Sequence, residues 1–249
     1  LNNGISDSLK RFPGITWLNA STAYFQSGKR ISFLNITGND IQPGKQVSLP
    51  ERAANITLNK KGDLIAYTID NNLQITDASG NRQVITQDTN RNIINGQSVH
   101  RDEFGINKGI FFSPEGNLLA YYRMDQTMVK DYPVINWSQT PACANMIKYP
   151  MAGDTSHQVT VQVYNPTTRQ TITLKTGEPA DQFLTCVSWS PDEKYIFIAV
   201  LNRGQNHLQL NQYDVQTGEK IRTLFEEKND KYVEPQHELT FLPGSNDRF

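Results

Sequence analysis

The chain has 249 residues, which is enough for one folded domain with a large buried core. Hydrophobic residues make up 37% and charged residues 20% of it, which excludes a chain that is disordered throughout. With 24 Lys and Arg against 25 Asp and Glu, the net charge of −1 argues against a nucleic-acid partner, and the lack of any run of 18 apolar residues argues against a membrane span.

Short runs in which apolar and polar residues alternate dominate the chain. Residues 73–76, 159–163 and 208–211 are clear examples. Successive side chains of a strand point to opposite faces, so this alternation is typical of strands with one buried face. Turn-forming residues separate the runs at short intervals, including 16 Gly and 12 Pro. The sequence therefore predicts an all-β fold of many short strands.

Two units recur along the chain. The first is an apolar or aromatic residue, a tight turn and an apolar strand, at residues 25–33, 58–67, 112–121 and 189–197. Proline sets φ for such a turn, and Gly or Asn takes the positive φ that it needs. In the second unit a strand reaches Asp77, Asn165 or Asp214, each of which can start a turn before another apolar strand.

Two hairpins per repeat give four antiparallel strands, which is the blade of a β-propeller. The spacing predicts blades at about residues 15–49, 53–87, 106–176 and 183–225, with a fifth beginning near residues 238–241. Four to five blades are too few to close a typical ring. We therefore expect residues 1–249 to be a single incomplete ring from a larger propeller of about seven or eight blades. The open blade edges would allow a homodimer.

Two long insertions interrupt the blade pattern, at residues 88–105 and at about residues 125–156. Insertions between blade strands often carry binding. The first contains adjacent carboxylates at Asp102 and Glu103. Such a pair is either an ordinary solvated loop or an anchor for a cation, because two carboxylates on a rigid scaffold bind an ammonium group by charge-assisted hydrogen bonds.

The motifs of several catalytic and cofactor sites are missing from the sequence. It has no G-x-S-x-G elbow and no glycine-rich phosphate loop, and its four His show no metal-binding spacing, so we expect no cofactor and no metal. The scattered histidines are expected to be structural or solvated. Cys143 and Cys186 could form one disulfide, but two free thiols are the favoured interpretation.

Four segments resemble the N-terminal propeller of bacterial dipeptidyl peptidase IV and of prolyl tripeptidyl aminopeptidase, in the prolyl oligopeptidase family. The resemblance extends from about residue 53 to the end of the sequence, and residues 1–50 match loosely. The segments that carry it are Ser-Val-His-Arg-Asp-Glu-Phe-Gly-Ile at 98–106, the Ser-Pro repeat at 111–126, Tyr-Pro-Met-Ala-Gly at 149–153 and Arg-Gly-Gln-Asn at 203–206.

The resemblance implies a two-part serine exopeptidase. A propeller gates access to an α/β-hydrolase domain, whose Ser-Asp-His triad removes di- or tripeptides from peptide N-termini, often after Pro. It also implies an acidic motif that holds the free α-amine of the substrate, which maps onto Asp102 and Glu103. The animal enzymes have two Glu at this motif and Asp is one methylene shorter, so Glu103 is the predicted anchor and Asp102 a secondary one.

The resemblance further implies a periplasmic or secreted location and a catalytic domain that this sequence does not contain, so we expect the chain alone to be inactive. It begins with neither Met nor a signal-peptide pattern, which predicts a processed or trimmed segment. One alternative is a stand-alone propeller that serves as a protein-binding scaffold, with no dependence on Asp102 or Glu103. Another is a carbohydrate- or metal-binding propeller.

Overall fold

The computed structural model describes residues 13–249, so the predicted trimmed start at Leu1 lies outside the described residues. The described part contains 19 strands, whose pairings are all antiparallel, and one short 3-10 turn at His100–Asp102. Between residues 13 and 249, no helix has the length and apolar character needed to span a membrane.

Four antiparallel sheets form the blades, three with four strands and one with a fifth strand added to its four, which confirms the predicted fold class. The first blade consists of β1 (Ile15–Trp17), β2 (Thr22–Ser27), β3 (Arg30–Thr37) and β4 (Asp40–Ser48). The second consists of β5 (Ala53–Leu58), β6 (Leu64–Ile69), β7 (Asn72–Asp77) and β8 (Arg82–Val84). The third consists of β10 (Ile110–Phe112), β11 (Leu119–Asp125), β14 (Gln158–Asn165) and β15 (Gln170–Thr173). The fourth consists of β16 (Phe183–Trp189), β17 (Tyr195–Leu201), β18 (His207–Asp214) and β19 (Lys220–Lys228).

Both insertions belong to the third blade. β9 (Ile93–Asn95) pairs with the end of β11 while β10 pairs with its beginning, so the chain between β9 and β10 leaves one edge of β11 and returns to it. The second insertion is a separate hairpin of β12 (Asp131–Asn136) and β13 (Cys143–Lys148), placed between β11 and β14. Cys143 on this hairpin and Cys186 on β16 are free thiols, as the favoured interpretation expected.

Apolar side chains from neighbouring blades meet face to face and form the core. One cluster joins the first and second blades, another joins the second and third, and the largest joins the third and fourth. Two buried polar groups add hydrogen bonds across the last of these contacts. The Trp189 Nε1–H donates to the Phe111 carbonyl at 3.2 Å, and the Tyr122 hydroxyl donates to the Leu184 carbonyl at 2.7 Å.

The turn between the first two strands of a blade also touches the preceding blade. In the second and third blades this turn holds Gly62 and Gly116, both with positive φ, and each lies against a side chain of the blade before it. A Cβ at Gly116 would lie 2.5 Å from Nδ2 of Asn59. In the fourth blade Glu193 takes this place with φ of 58°, and its carboxylate accepts hydrogen bonds from the Glu115 backbone N–H at 2.6 Å and from Asn117 Nδ2 at 2.8 Å.

The first strand of every blade lines a common cleft. Residues of β1, β5, β10 and β16 contribute to its wall, which includes Trp17, Leu58, Phe112 and Trp189. The four sheets are therefore arranged around a shared axis, with the later strands of each blade farther from it.

The interpretation of one repeat unit was wrong in detail. The repeat unit at residues 25–33 forms the β2–β3 hairpin, whereas the other three units form the turn between the first two strands of a blade. Residues 238–241, where a fifth blade was expected to begin, form no strand, and within the described chain no strand pairs with them. Leu239 and Phe241 instead pack on the outer face of the fourth blade, together with Val233.

Replacement of Gly116 by Ala should destabilise the fold more than replacement of Gly28. Both glycines have positive φ, which costs an Ala about 1–2 kcal/mol, but only Gly116 also has a neighbouring blade in the way of a Cβ. We expect Gly116→Ala to lower the free energy of unfolding by about 2–4 kcal/mol and Gly28→Ala by about 1–2 kcal/mol, measured by chemical denaturation. Equal losses would contradict this account of blade contact.

Candidate functional site

The predicted acidic pair lies on a tight left-handed turn between β9 and β10. His100, Arg101 and Asp102 have φ of 52°, 56° and 62° in succession. The backbone closes on itself through hydrogen bonds from Asp102 N–H to the Val99 carbonyl and from Glu103 N–H to the His100 carbonyl, each 3.2 Å. Non-glycine residues rarely adopt this conformation, so a run of three needs support from the surrounding structure.

The two carboxylates of the turn have different environments. Asp102 Oδ1 accepts a hydrogen bond from the hydroxyl of Ser98 in the same loop. Part of the hydrogen-bonding capacity of this carboxylate is therefore already used. The Glu103 side chain is exposed, and within residues 13–249 it makes no hydrogen bond and no ion pair. Glu103 is therefore the carboxylate that is available to a cationic group from outside.

Two arginines of this region, Arg101 and Arg203, have partners other than the acidic pair. The Arg101 guanidinium lies 4.1 Å from the centre of the Tyr149 ring and donates to the Lys148 carbonyl at 3.2 Å. The Arg203 guanidinium donates from Nη1 to the Ser156 hydroxyl at 3.1 Å. Within residues 13–249, neither arginine forms an ion pair with Asp102 or Glu103.

Three sequence segments that are distant in the chain meet at this turn. Arg101 of the acidic segment contacts Tyr149 in the second insertion, and the charges of Arg101 and of Arg203, which follows β17, both act on His157. His157 Nε2 and His100 Nδ1 are 2.8 Å apart, and the rings are 4.7 Å apart between centres. The two histidines are 57 positions apart in the sequence, and no sequence pattern indicates that they meet.

Both histidines are held in the neutral form. Burial lowers the pKa of His100 from 6.5 to about 3, with further lowering by His157 and Arg203. Burial likewise lowers the pKa of His157 from 6.5 to about 4, with the positive charges of Arg203 and Arg101 adding to the effect. A positive charge on either ring would have to be desolvated beside two arginines, so the pair is uncharged at neutral pH.

Aromatic contacts fix both ends of the acidic turn to the fourth blade. The Phe183 ring, at the start of β16, lies 4.9 Å from the His100 ring and 4.8 Å from the Phe104 ring, measured between centres. The Thr185 hydroxyl donates to the Phe104 carbonyl at 2.5 Å. Asp102 and Glu103 thus lie between two residues that are anchored on the same neighbouring strand.

The four-stranded antiparallel blades around a common cleft define a β-propeller type of fold, with an acidic turn carried by its third blade. The sequence profile of the dipeptidyl peptidase IV (DPP IV) N-terminal region matches residues 21–249. The chain therefore belongs to the family of dipeptidyl peptidase IV N-terminal regions, as the resemblance predicted.

Similar solved structures agree with this assignment. A dipeptidyl aminopeptidase IV candidate from Bacteroides ovatus is 42% identical with a TM-score of 0.82, over 92% of this chain and 31% of that chain. Dipeptidyl peptidase 4 from Porphyromonas gingivalis is 20% identical with a TM-score of 0.67, over 88% of this chain and 31% of that chain, and supports the fold alone.

Curated relatives include fungal proteins. A protein named "Probable dipeptidyl-aminopeptidase B" from Phaeosphaeria nodorum is 26% identical over 84% of this chain, and one of the same name from Podospora anserina is 29% identical over 73% of it. This chain covers 25% of the first protein and 22% of the second. It thus spans about a quarter of the length of these relatives.

The buried histidine pair predicts how stability changes with pH. The unfolded chain binds protons on both histidines as the pH falls below 6.5, whereas the folded chain resists protonation until about pH 4. The free energy of unfolding should therefore fall between pH 7 and pH 5, by up to about 2 kcal/mol for each histidine. Denaturation of the wild type and of His157→Gln at both pH values measures the contribution of His157.

The loss between pH 7 and pH 5 should be smaller in His157→Gln than in the wild type. His237→Gln serves as the control, because its side chain is exposed. A wild type and a His157→Gln variant with the same pH dependence would contradict the assignment of a neutral buried pair.

Proposed function

We propose that the chain is the substrate-gating and amine-anchoring propeller region of a serine exopeptidase that removes di- or tripeptides from peptide N-termini, often after Pro. The observation that carries this proposal is the exposed carboxylate of Glu103, which has no partner among residues 13–249 and lies beside Asp102 on a turn fixed to two blades. Membership in the family supports the same function.

In this proposal the acidic pair fixes one end of the substrate. Glu103 accepts charge-assisted hydrogen bonds from the α-ammonium group of the peptide, and the rigid turn keeps that group at a set distance from a catalytic serine. A fixed distance makes the enzyme count residues from the N-terminus, because only one peptide bond then lies at the nucleophile. This is catalysis by positioning, and it needs no catalytic residue in the propeller itself.

Glu103 is the primary anchor and Asp102 the secondary one. The Asp102 carboxylate already accepts a hydrogen bond from Ser98, so it has less capacity left for an ammonium group. Its remaining oxygen lone pairs can still add attraction to the bound amine. The order of the two acids follows from this difference and from the greater reach of Glu.

The proposal includes partners and a location. An α/β-hydrolase domain supplies the catalytic triad, the substrate is the N-terminus of a peptide, and the protein acts in the periplasm or outside the cell. A homodimer through open sheet edges also stays a prediction. Light scattering on the full-length protein tests it, and a monomer at every concentration would count against it.

Glu103→Gln in the full-length protein tests the anchor. A hydrogen bond to a charged group contributes about 1.5–3 kcal/mol, so kcat/KM for free-amine Gly-Pro and Ala-Ala-Pro chromogenic substrates should fall about 10- to 100-fold. Glu51→Gln is the matched control, because Glu51 is also exposed but lies on the turn between the first two blades. The preferred substrate of the wild type identifies the subclass.

Two outcomes would redirect the proposal. Normal cleavage by Glu103→Gln, or equal cleavage of substrates with free and acetylated amines, would remove Glu103 from the site. A full-length protein with no peptidase activity would favour the alternative, a propeller that serves as a protein-binding scaffold.

A further inference from the structure

The acidic turn has a conformation that its own sequence does not favour. Four non-glycine residues between positions 100 and 104 have positive φ, namely His100, Arg101, Asp102 and Phe104. A strained segment persists only where surrounding contacts fix it. The contacts that fix this turn are therefore part of the site that presents the carboxylates.

The side chain of His100 is the main buried contact of the turn. It is 5% exposed, hydrogen-bonded to His157 at 2.8 Å and packed on Phe183. His157 immediately precedes β14 in the third blade, and Phe183 begins β16 in the fourth blade. One imidazole ring thus connects the backbone of the acidic turn to both blades.

The hydrogen-bonding pattern identifies the tautomer of the pair. His100 Nε2 is buried and has no partner in the described chain. A proton on this atom would be a buried N–H without an acceptor, which costs more than an unused lone pair. The proton of His100 is therefore on Nδ1, and this N–H donates to an unprotonated Nε2 of His157.

We propose that His100 and His157 are positioning residues for the acidic pair, and that their neutral ring-to-ring hydrogen bond holds the left-handed turn on which Asp102 and Glu103 meet the substrate amine. This inference rests on the proposed function. Arg101 and Arg203 are the charged groups that act on the pair, and both oppose its protonation.

Two substitutions of His157 in the full-length protein separate positioning from general stability. His157→Phe keeps an aromatic ring but removes the acceptor, so the turn loses its hydrogen bond and the carboxylates move. We expect KM for a free-amine Gly-Pro chromogenic substrate to rise about tenfold or more, because displaced carboxylates bind the ammonium group less tightly, and we expect kcat to fall because the scissile bond is then misplaced. His157→Gln places an amide oxygen near the position of Nε2 and should restore most of the lost affinity.

His207→Gln is the matched control, because His207 is bonded to Glu226 on the last two strands of the fourth blade, and within residues 13–249 no hydrogen bond or ring contact joins its side chain to the acidic turn. It should leave KM unchanged. A folded His157→Phe protein with the KM of the wild type would overturn the inference, and so would a His157→Gln protein as impaired as His157→Phe. These results differ from failure of the proposed function, in which Glu103→Gln itself has no effect.

Nitrogen NMR of the histidine rings in the wild-type protein gives a test that does not depend on any variant folding. The expected spectrum between pH 5 and pH 8 shows two uncharged rings, with the proton of His100 on Nδ1 and coupled to Nε2 of His157. A charged ring in this range, or a proton on Nε2 of His100, would overturn the inference.

Discussion

Each blade of this molecule has two apolar faces, and only another blade or segment packed against it can keep both from water. The clusters between successive blades meet this requirement for the first three contacts. Residues after β19 meet it for the outer face of the fourth blade, where Val233, Leu239 and Phe241 lie on Phe197 and its neighbours. Polar contacts between blades, such as the hydrogen bonds to Glu193, lie at the margin of this packing. Because hydrogen bonds are directional, they favour one relative orientation of the two blades.

The same requirement determines where additional chain can be placed. Extra residues cannot enter between packed faces, so both insertions leave from the ends and edges of the third blade. There they contact each other through Arg101 and Tyr149, and they contact the next blade through His100, Phe104 and Phe183. A flexible pair of loops thereby becomes a supported surface, which suits a site that has to present charge at a fixed place.

Local sequence signals were sufficient for the blades because a strand, a turn and a hairpin each involve neighbouring residues. The turn residues Ser113 and Ser190 accept backbone hydrogen bonds in the way that their repeat pattern implied. At residues 25–33 the glycine of the turn could not show which hairpin of the blade the repeat forms, because a glycine turn fits either one. The segment forms the hairpin of the second and third strands. The sequence located the acidic pair through family resemblance. It could not reveal the histidine pair that supports it, because that contact depends on how whole blades are packed.

Through Phe183, the position of the acidic turn depends on how the third and fourth blades pack against each other. Its ring touches His100 before the carboxylates and Phe104 after them, yet it belongs to the neighbouring sheet. A small rotation of the fourth blade against the third would carry both contacts with it and displace the carboxylates as one unit. The distance from the acidic turn to any point outside the third blade therefore depends on the angle between the third and fourth blades, and substitutions where these two blades meet can change that distance without altering the turn itself.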